Sequence, residues 1–364
     1  MPLYQRPTEM LRATNNNGAH RALELKLMHH FTACTSQTFA DTEEQRHTWR
    51  VKIPRIAYDA PHLMDALLAV SALHMRALQP EDSSLARASH AYMASTLSQY
   101  SGHLRGGLSE LNAEALFATA ALIAFQSSAS RRFEEELVEG RYILPFAWFH
   151  SFQGVKTVVM TSWQWLRNSD RVFHIINGQP ALFLDLDPER KLFFAPLLEG
   201  MEEQVALLPK YLHSETRQAY IHAVAFLNWA HQSPVRNRIL GFAATVSRRF
   251  VELLDSYDPR AMVIVACFFA LTKVVDEVWW LQGVARREVN GIFSILSQEW
   301  WSKMEWPLKI ANHEGPMDEV TWGVGENNKE IVKAEKADEP INVHFHIDML
   351  AKMLAEEVPE VPLD

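Results

Sequence analysis

PHLMDALLAVSALHMRAL, residues 61–78, decides the fold. Its apolar residues Leu63, Leu67, Val70, Leu73 and Ala77 recur at three- and four-residue steps, the period of a helix that buries one stripe. Asp59 and Pro61 supply a cap and a first-turn residue. The same device recurs at Ser233-Pro234 and at Asp258-Pro259. Each opens a further apolar run, RILGFAATVSRRFVELL and RAMVIVACFFALTKVVDEVWWL. Helices are also expected at 23–39, 83–104, 113–126, 145–166, 199–211 and 216–231. Residues 261–281 are apolar nearly all round until Lys273, which suits the centre of a multi-helix domain. No series of alternating β-branched runs precedes residue 315, so an α/β sheet is not expected. The pattern predicts an all-α multi-helix bundle over 22–312, after a polar leader over 1–21. An acidic, semi-ordered tail follows over 313–364, containing INVHFHI and MLAKMLAEEV.

Composition narrows the function classes. Of 364 residues, 48% are hydrophobic and 22% charged, an ordinary globular balance. The formal net charge of −9 argues against direct nucleic-acid binding, which draws on clustered cations. The basic pairs Arg131-Arg132, Arg248-Arg249 and Arg286-Arg287 read as solvated surface. Two cysteines, Cys34 and Cys267, are too few for a disulfide framework. The N-terminus has no apolar signal core, and the longest uncharged apolar run, Ala261–Thr272, is shorter than the ~18–20 residues of a membrane span. The expectation is a soluble intracellular chain with no membrane span.

Motifs of catalysis and metal binding are sparse. There is no GxSxG, P-loop, HExxH or strand-associated GxGxxG. Asp185-Leu-Asp187 precedes Pro188 and reads as turn chemistry. His344, His346 and Asp348 share a face of INVHFHI, yet no second shell is in view. In LMHHFTAC, residues 27–34, His30 and Cys34 stand at metal-ligand spacing. A buried stripe of Leu27, Phe31 and Cys34 is the better reading, with Cys34 as a small hydrophobe. No metal and no cofactor are expected. A terpene-cyclase reading fails because Asp276-Glu277 is the only acidic pair in its apolar helix.

Four pieces stand in an order that resembles a known family: His-His-Phe after a short leader; Trp49 before IPRIAYDAP; LLAVSALHM; and LPFAWFHSFQGVKTVV. Together they resemble the regulatory domain of fungal zinc-cluster transcription factors, in the sterol uptake control protein subgroup, over roughly residues 22 to 310. The resemblance implies an all-α bundle, commonly a homodimer, with a deep apolar cavity whose sterol-like ligand sets activity. It implies transcription regulation in the nucleus and cytoplasm. Those regulators carry six cysteines that bind two zinc ions and contact DNA. With two cysteines in all, this chain is expected to lack that module, as a fragment or as a stand-alone ligand-binding body.

The resemblance places an apolar small-molecule ligand inside the helical body. The candidates to line its site are Met28, Phe31, Leu67, Ser71, His74, Phe117, Phe125, Trp148, Met262, Phe269 and Trp280. Ser71 and His74 are the polar anchors for a ligand hydroxyl; ordinary core is the competing reading for each residue. The second hypothesis is an enzyme of fungal secondary metabolism that folds a polyketide or terpenoid in the cavity. His29, His30, His74, Asp276 and Glu277 are then the ionisable residues to test. A purely structural dimerisation module is the third.

Overall fold

The computed structural model describes residues 7–134, 142–177, 182, 184–187, 190 and 192–323. Among them the chain is all-α, without a strand. Most of the expected tail, with INVHFHI and MLAKMLAEEV, lies outside the described residues. Two compact units emerge: Met1–Gln126 with Thr161–Ile176, and Ser127–Met160 with Asn177–Asp364.

In the first unit, helix α1 (Pro7–Ala33) is followed by a 3-10 turn (Thr35–Phe39), α2 (Glu43–His47), a π-turn (Thr48–Lys52) and α3 (Ile53–Ala57). Helices α4 (Pro61–Leu78), α5 (Ser83–Arg105) and α6 (Ala113–Ser130), the last up to Gln126, complete its main body. The deciding stretch forms α4, with Pro61 in its first turn as expected, but Ala60 occupies the cap without a side-chain bond. Every residue from Ala66 to Met75 is buried, because α1 and α5 both pack on α4. Leu27, Leu68, Ala72, Met75 and Leu85 form the shared core. Polar ties fix the packing: the Ser71 hydroxyl donates to the Leu27 carbonyl at 2.6 Å. Asp65 of α4 accepts from Ser95 at 2.7 Å and Gln99 at 2.9 Å, both on α5.

The expected helix over 23–39 is corrected at both ends. It starts at Pro7, inside the segment read as a leader, and stops at Ala33. Cys34 is exposed, not part of the buried stripe, because the chain leaves α-geometry there and turns Thr35 and Ser36 inward instead.

The second unit holds most of α7 (Phe146–Leu166), then α9 (Met201–Ala206), α10 (His213–Gln232), α11 (Arg236–Leu240), α12 (Phe242–Thr245) and α13 (Arg248–Asp255), where α8 (Phe173–Asn177) precedes α9 in the chain. Helices α14 (Pro259–Leu271), α15 (Val284–Ile295), α16 (Glu305–Ala311) and α17 (Glu319–Trp322) follow. Helix α14 is the centre: Arg260 through Leu271 are all buried. Its start is the one expected, with Pro259 at the first turn and Asp258 accepting from the Ala261 N–H at 2.8 Å. It ends earlier than the apolar run. Thr272 donates to the Phe269 carbonyl at 2.7 Å, the chain tightens into a 3-10 turn over Thr272–Val275, and Trp280 sits beyond the helix.

Three further expectations are corrected. Ser233 ends α10 instead of capping a new helix, and Val235 is extended. The run over 238–254 breaks into three pieces; Ser247 is extended and caps α13 through the Phe250 N–H at 3.2 Å. The segment 199–211 is α-helical only over Met201–Ala206, and extended Pro209 separates it from a 3-10 turn. Apolar periodicity continues through each break, so these local caps were invisible to it.

Candidate functional site

Seven of the proposed ligand-site residues fall in the first unit. Phe31, Leu67, Ser71, His74 and Phe117 are buried, while Met28 and Phe125 are partly so. At the α1–α4 contact, His74 Nδ1 and the Thr35 hydroxyl share a hydrogen bond of 2.9 Å. The His30 ring lies against that of His74, with centroids 4.9 Å apart. Burial pushes the His74 imidazole down to about 4, aided by its neighbour His30. The His74 ring is therefore neutral near pH 7, and burial, with His29 and Lys26 nearby, lowers His30 as well. Phe125 stacks on Phe39 at 4.3 Å, and Trp49 meets its edge at 6.0 Å. Phe31 is linked to this group through Phe39 at 6.1 Å. Phe39 and Trp49 were missed as candidates. Trp49 was singled out only as a family landmark, and Phe39 was counted as the end of a helix.

The other four candidates belong to the second unit, where three come together. Trp148 of α7 stands edge-on to Phe269 at 5.4 Å and lies 6.5 Å from Trp280. Phe268 also meets Trp148 edge-on, at 6.2 Å. Met262 is buried one turn into α14. The Trp148 indole N–H is buried within this apolar layer and has no hydrogen-bond partner among the described residues. A buried donor with nothing to donate to is uncommon, because its desolvation is uncompensated. The Trp229 indole N–H of the same unit is likewise buried without a partner among the described residues.

The residues named for catalysis do not converge within either unit into a reactive set. His29 is exposed. His30 and His74 belong to the first unit, whereas Asp276 and Glu277 belong to the second. Asp276 is engaged by Lys273 at 3.1 Å and by the Gly283 N–H at 2.7 Å, and Glu277 is exposed. Among the described residues no group of three or more His, Cys, Asp or Glu could hold a metal ion. His344, His346 and Asp348 lie outside the described residues. Among the described residues no helix is long and apolar enough to cross a membrane.

Residues 26–134 match the fungal specific transcription factor domain. A Zn(2)-C6 fungal-type transcription factor of Gibberella zeae is 43% identical over 99% of this chain and 76% of the relative. The chain belongs to the Zn(2)-C6 fungal-type transcription factor family. It is also similar to sterol uptake control protein 2 of Candida albicans, at 26% identity over 78% of this chain. The protein of the same name in Saccharomyces cerevisiae is 28% identical over 75% of the chain. The chain spans 41% and 30% of those two relatives. The domain match covers the first unit's main body, α4 included, so the sequence stretch that decides the fold also carries the family signature.

Proposed function

We propose that the chain is the ligand-sensing, regulatory body of a transcription regulator acting in the nucleus, with a cytoplasmic pool. Its ligand is an apolar small molecule carrying one oxygen function, a sterol or a secondary metabolite of similar shape. The regulatory body is assigned to residues 22–312 and the acidic tail to 313–364, and the working form is a homodimer. DNA contact is made outside these residues, through a six-cysteine segment or a partner. The net charge of −9 supports that division.

The observation that carries the ligand reading is the orphan indole N–H of Trp148, enclosed by Phe268, Phe269 and Trp280. An apolar site with few polar anchors is the usual form of a small-molecule pocket. Sterol control by two relatives favours a hydroxylated ring system as occupant. The enzyme reading is not favoured, since His29 and Glu277 are exposed and His74 and Asp276 already have hydrogen-bond partners.

The test is a titration of the purified chain with dehydroergosterol, read by energy transfer from tryptophan. Saturable micromolar binding is expected, weakened at least tenfold in Trp148→Phe, which keeps the ring and removes the N–H. Absence of saturable binding, or identical affinity in the variant, rejects the assignment.

A further inference from the structure

The hairpin of α4 and α5 brings two histidines together at its open end. His62 stands in the first turn of α4 and His103 in the last turn of α5. Their ring centroids are 4.5 Å apart, with planes tilted by 43°. His62 is 3% exposed, whereas His103 is exposed. One turn along each helix, Asp65 accepts from Gln99 at 2.9 Å, and Asp65 also accepts from Ser95 at 2.7 Å. These bonds tie the two helices on the face that carries the histidines.

Both ring nitrogens of His62 are buried, and neither has a hydrogen-bond partner. Among the described residues no other side chain has two buried polar atoms left unpaired. A buried imidazole ordinarily finds a donor or an acceptor for at least one nitrogen, because leaving both bare forfeits the hydrogen bonds that water would have made. Packing alone does not call for an imidazole here, since a phenyl ring would fill the space without stranding two polar atoms. Burial pushes His62 down to about 4, with His103 adding to the effect and Asp65 opposing it. The ring is therefore neutral near pH 7 and has a lone pair to offer.

Two imidazoles bound to one ion hold their nitrogens about 2.0–2.1 Å from it, which puts the ring centres roughly 4.5–5.2 Å apart for ligand angles from a right angle to the tetrahedral value. The separation of His62 and His103 falls at the short end of that range. We propose that His62 and His103 form a binding site for zinc or another divalent ion of the class that prefers imidazole. One nitrogen of each ring ligates the ion, and water completes the shell. Exposed His103 gives the ion its way in. Asp65, within electrostatic reach of His62, supplies the carboxylate charge that such sites carry outside their ligands. The site has two protein ligands, one short of the three-ligand sets that the described residues lack, which makes it open and exchangeable. A bound ion clips the start of α4 to the end of α5. This assignment is independent of any ligand at Trp148, which belongs to the second unit.

The experiment uses the full chain without an affinity tag, titrated by calorimetry at neutral pH with zinc chloride and, separately, with magnesium chloride. One equivalent of zinc should bind saturably, and magnesium should not. His103→Ala, at an exposed position, should fold by circular dichroism and weaken zinc binding roughly tenfold or more. His62→Phe should weaken it to the same extent. Cys34→Ser removes the exposed thiol and should leave the zinc affinity unchanged. Zinc should raise the melting temperature of the parent chain and not that of His103→Ala. Any one of four results overturns the proposal: no saturable zinc binding, magnesium bound as tightly as zinc, unchanged affinity in either folded histidine variant, or loss of the site in Cys34→Ser.

Discussion

Removing the carboxylate of Glu288 tests how the second unit is held together. Glu288 of α15 is fully buried. It accepts from Arg131 Nε at 2.9 Å and Arg131 Nη2 at 3.0 Å, and from the Tyr142 hydroxyl. Burial and the adjacent carboxylate push the Tyr142 phenol well above its usual value, so it stays protonated and donates. Arg131 is buried as well, with Nη2 also donating to the Ile143 carbonyl at 3.0 Å. Glu288→Ala strands the Tyr142 phenol and leaves the buried Arg131 guanidinium with only the half-exposed Glu134, at 2.6 Å, and the Ile143 carbonyl. Breaking a buried pair from one side costs ~3–5 kcal/mol. Against a typical total of ~5–15 kcal/mol, that is a large share of the fold's stability. Glu288→Gln retains volume and one acceptor and should fall between parent and alanine. The double change Arg131→Met with Glu288→Leu removes the ion pair from both sides but still leaves the Tyr142 hydroxyl without its acceptor, so it should recover part of the loss, the part due to the guanidinium. Urea unfolding followed by circular dichroism at 222 nm, on the parent, Arg131→Met, Glu288→Leu and the double variant, gives the four corners of the cycle. Glu288→Ala within ~1 kcal/mol of the parent, or a double variant as damaged as the sum of the singles, refutes the reasoning.

Gly291→Ala should lower stability by ~1–3 kcal/mol or more, read as melting temperature, because a methyl there overlaps the buried Tyr142 ring. Ser71→Phe should cost at least as much, since Ser71 is fully buried and its hydroxyl is bonded to Leu27; an unchanged melting temperature would mean open space beside it. A thiol reagent should modify one cysteine rapidly, the exposed Cys34. It should reach Cys267, whose thiol burial pushes up, only in denaturant. Burial lowers His62, His74 and His231 to about 4, so between that value and 6.5 the unfolded chain binds protons that the folded chain does not. Stability should be full above pH 6.5, fall as pH drops toward 4, and level below it. Each histidine contributes up to ~3 kcal/mol at ~1.4 kcal/mol per pH unit, and a flat urea midpoint across this range would contradict the burial.

The helix content was legible because apolar stripes such as those of α4 and α10 have one dominant period, and because the run that forms α14 is apolar all round after an Asp-Pro start. The breaks were not. Ser247 and Thr272 stop or redirect helices through a single side-chain bond each, within runs that remain apolar on both sides. Cys34 shows the same limit from the other direction. Spacing placed it on the Leu27–Phe31 stripe, but α1 ends one residue earlier and the stripe passes to Thr35 and Ser36. The pairing of Arg131 with Glu288 was beyond any local pattern, because 157 residues separate them. Arg131 was read from its neighbour Arg132 as solvated surface, and the structure buries it. The pairing of His62 with His103 was illegible for a related reason. The two lie on separate helices that only tertiary packing brings together.

The candidate anchors divide on the same ground. Ser71 and His74 were chosen because they are polar residues on an apolar face, and in the first unit both are fully buried or nearly so with partners in hand. Their bonds join α4 to the end of α1 and to the turn that follows it. Polarity at these positions is explained by packing alone, because a helix that is buried on every side gains registry from a few directional bonds. Trp148 is different. It was chosen for its size, and its ring is explained by the aromatic layer around it, but its N–H is not. Phenylalanine would satisfy the packing without leaving a donor stranded. A residue whose apolar part is fully accounted for and whose polar part is not is the better place to look for a missing partner. Trp148 meets that criterion in the second unit together with Trp229 Nε1, and His30 Nε2, beside His74, meets it in the first, so it is the Trp148→Phe titration that decides whether the α7–α14 layer holds a ligand.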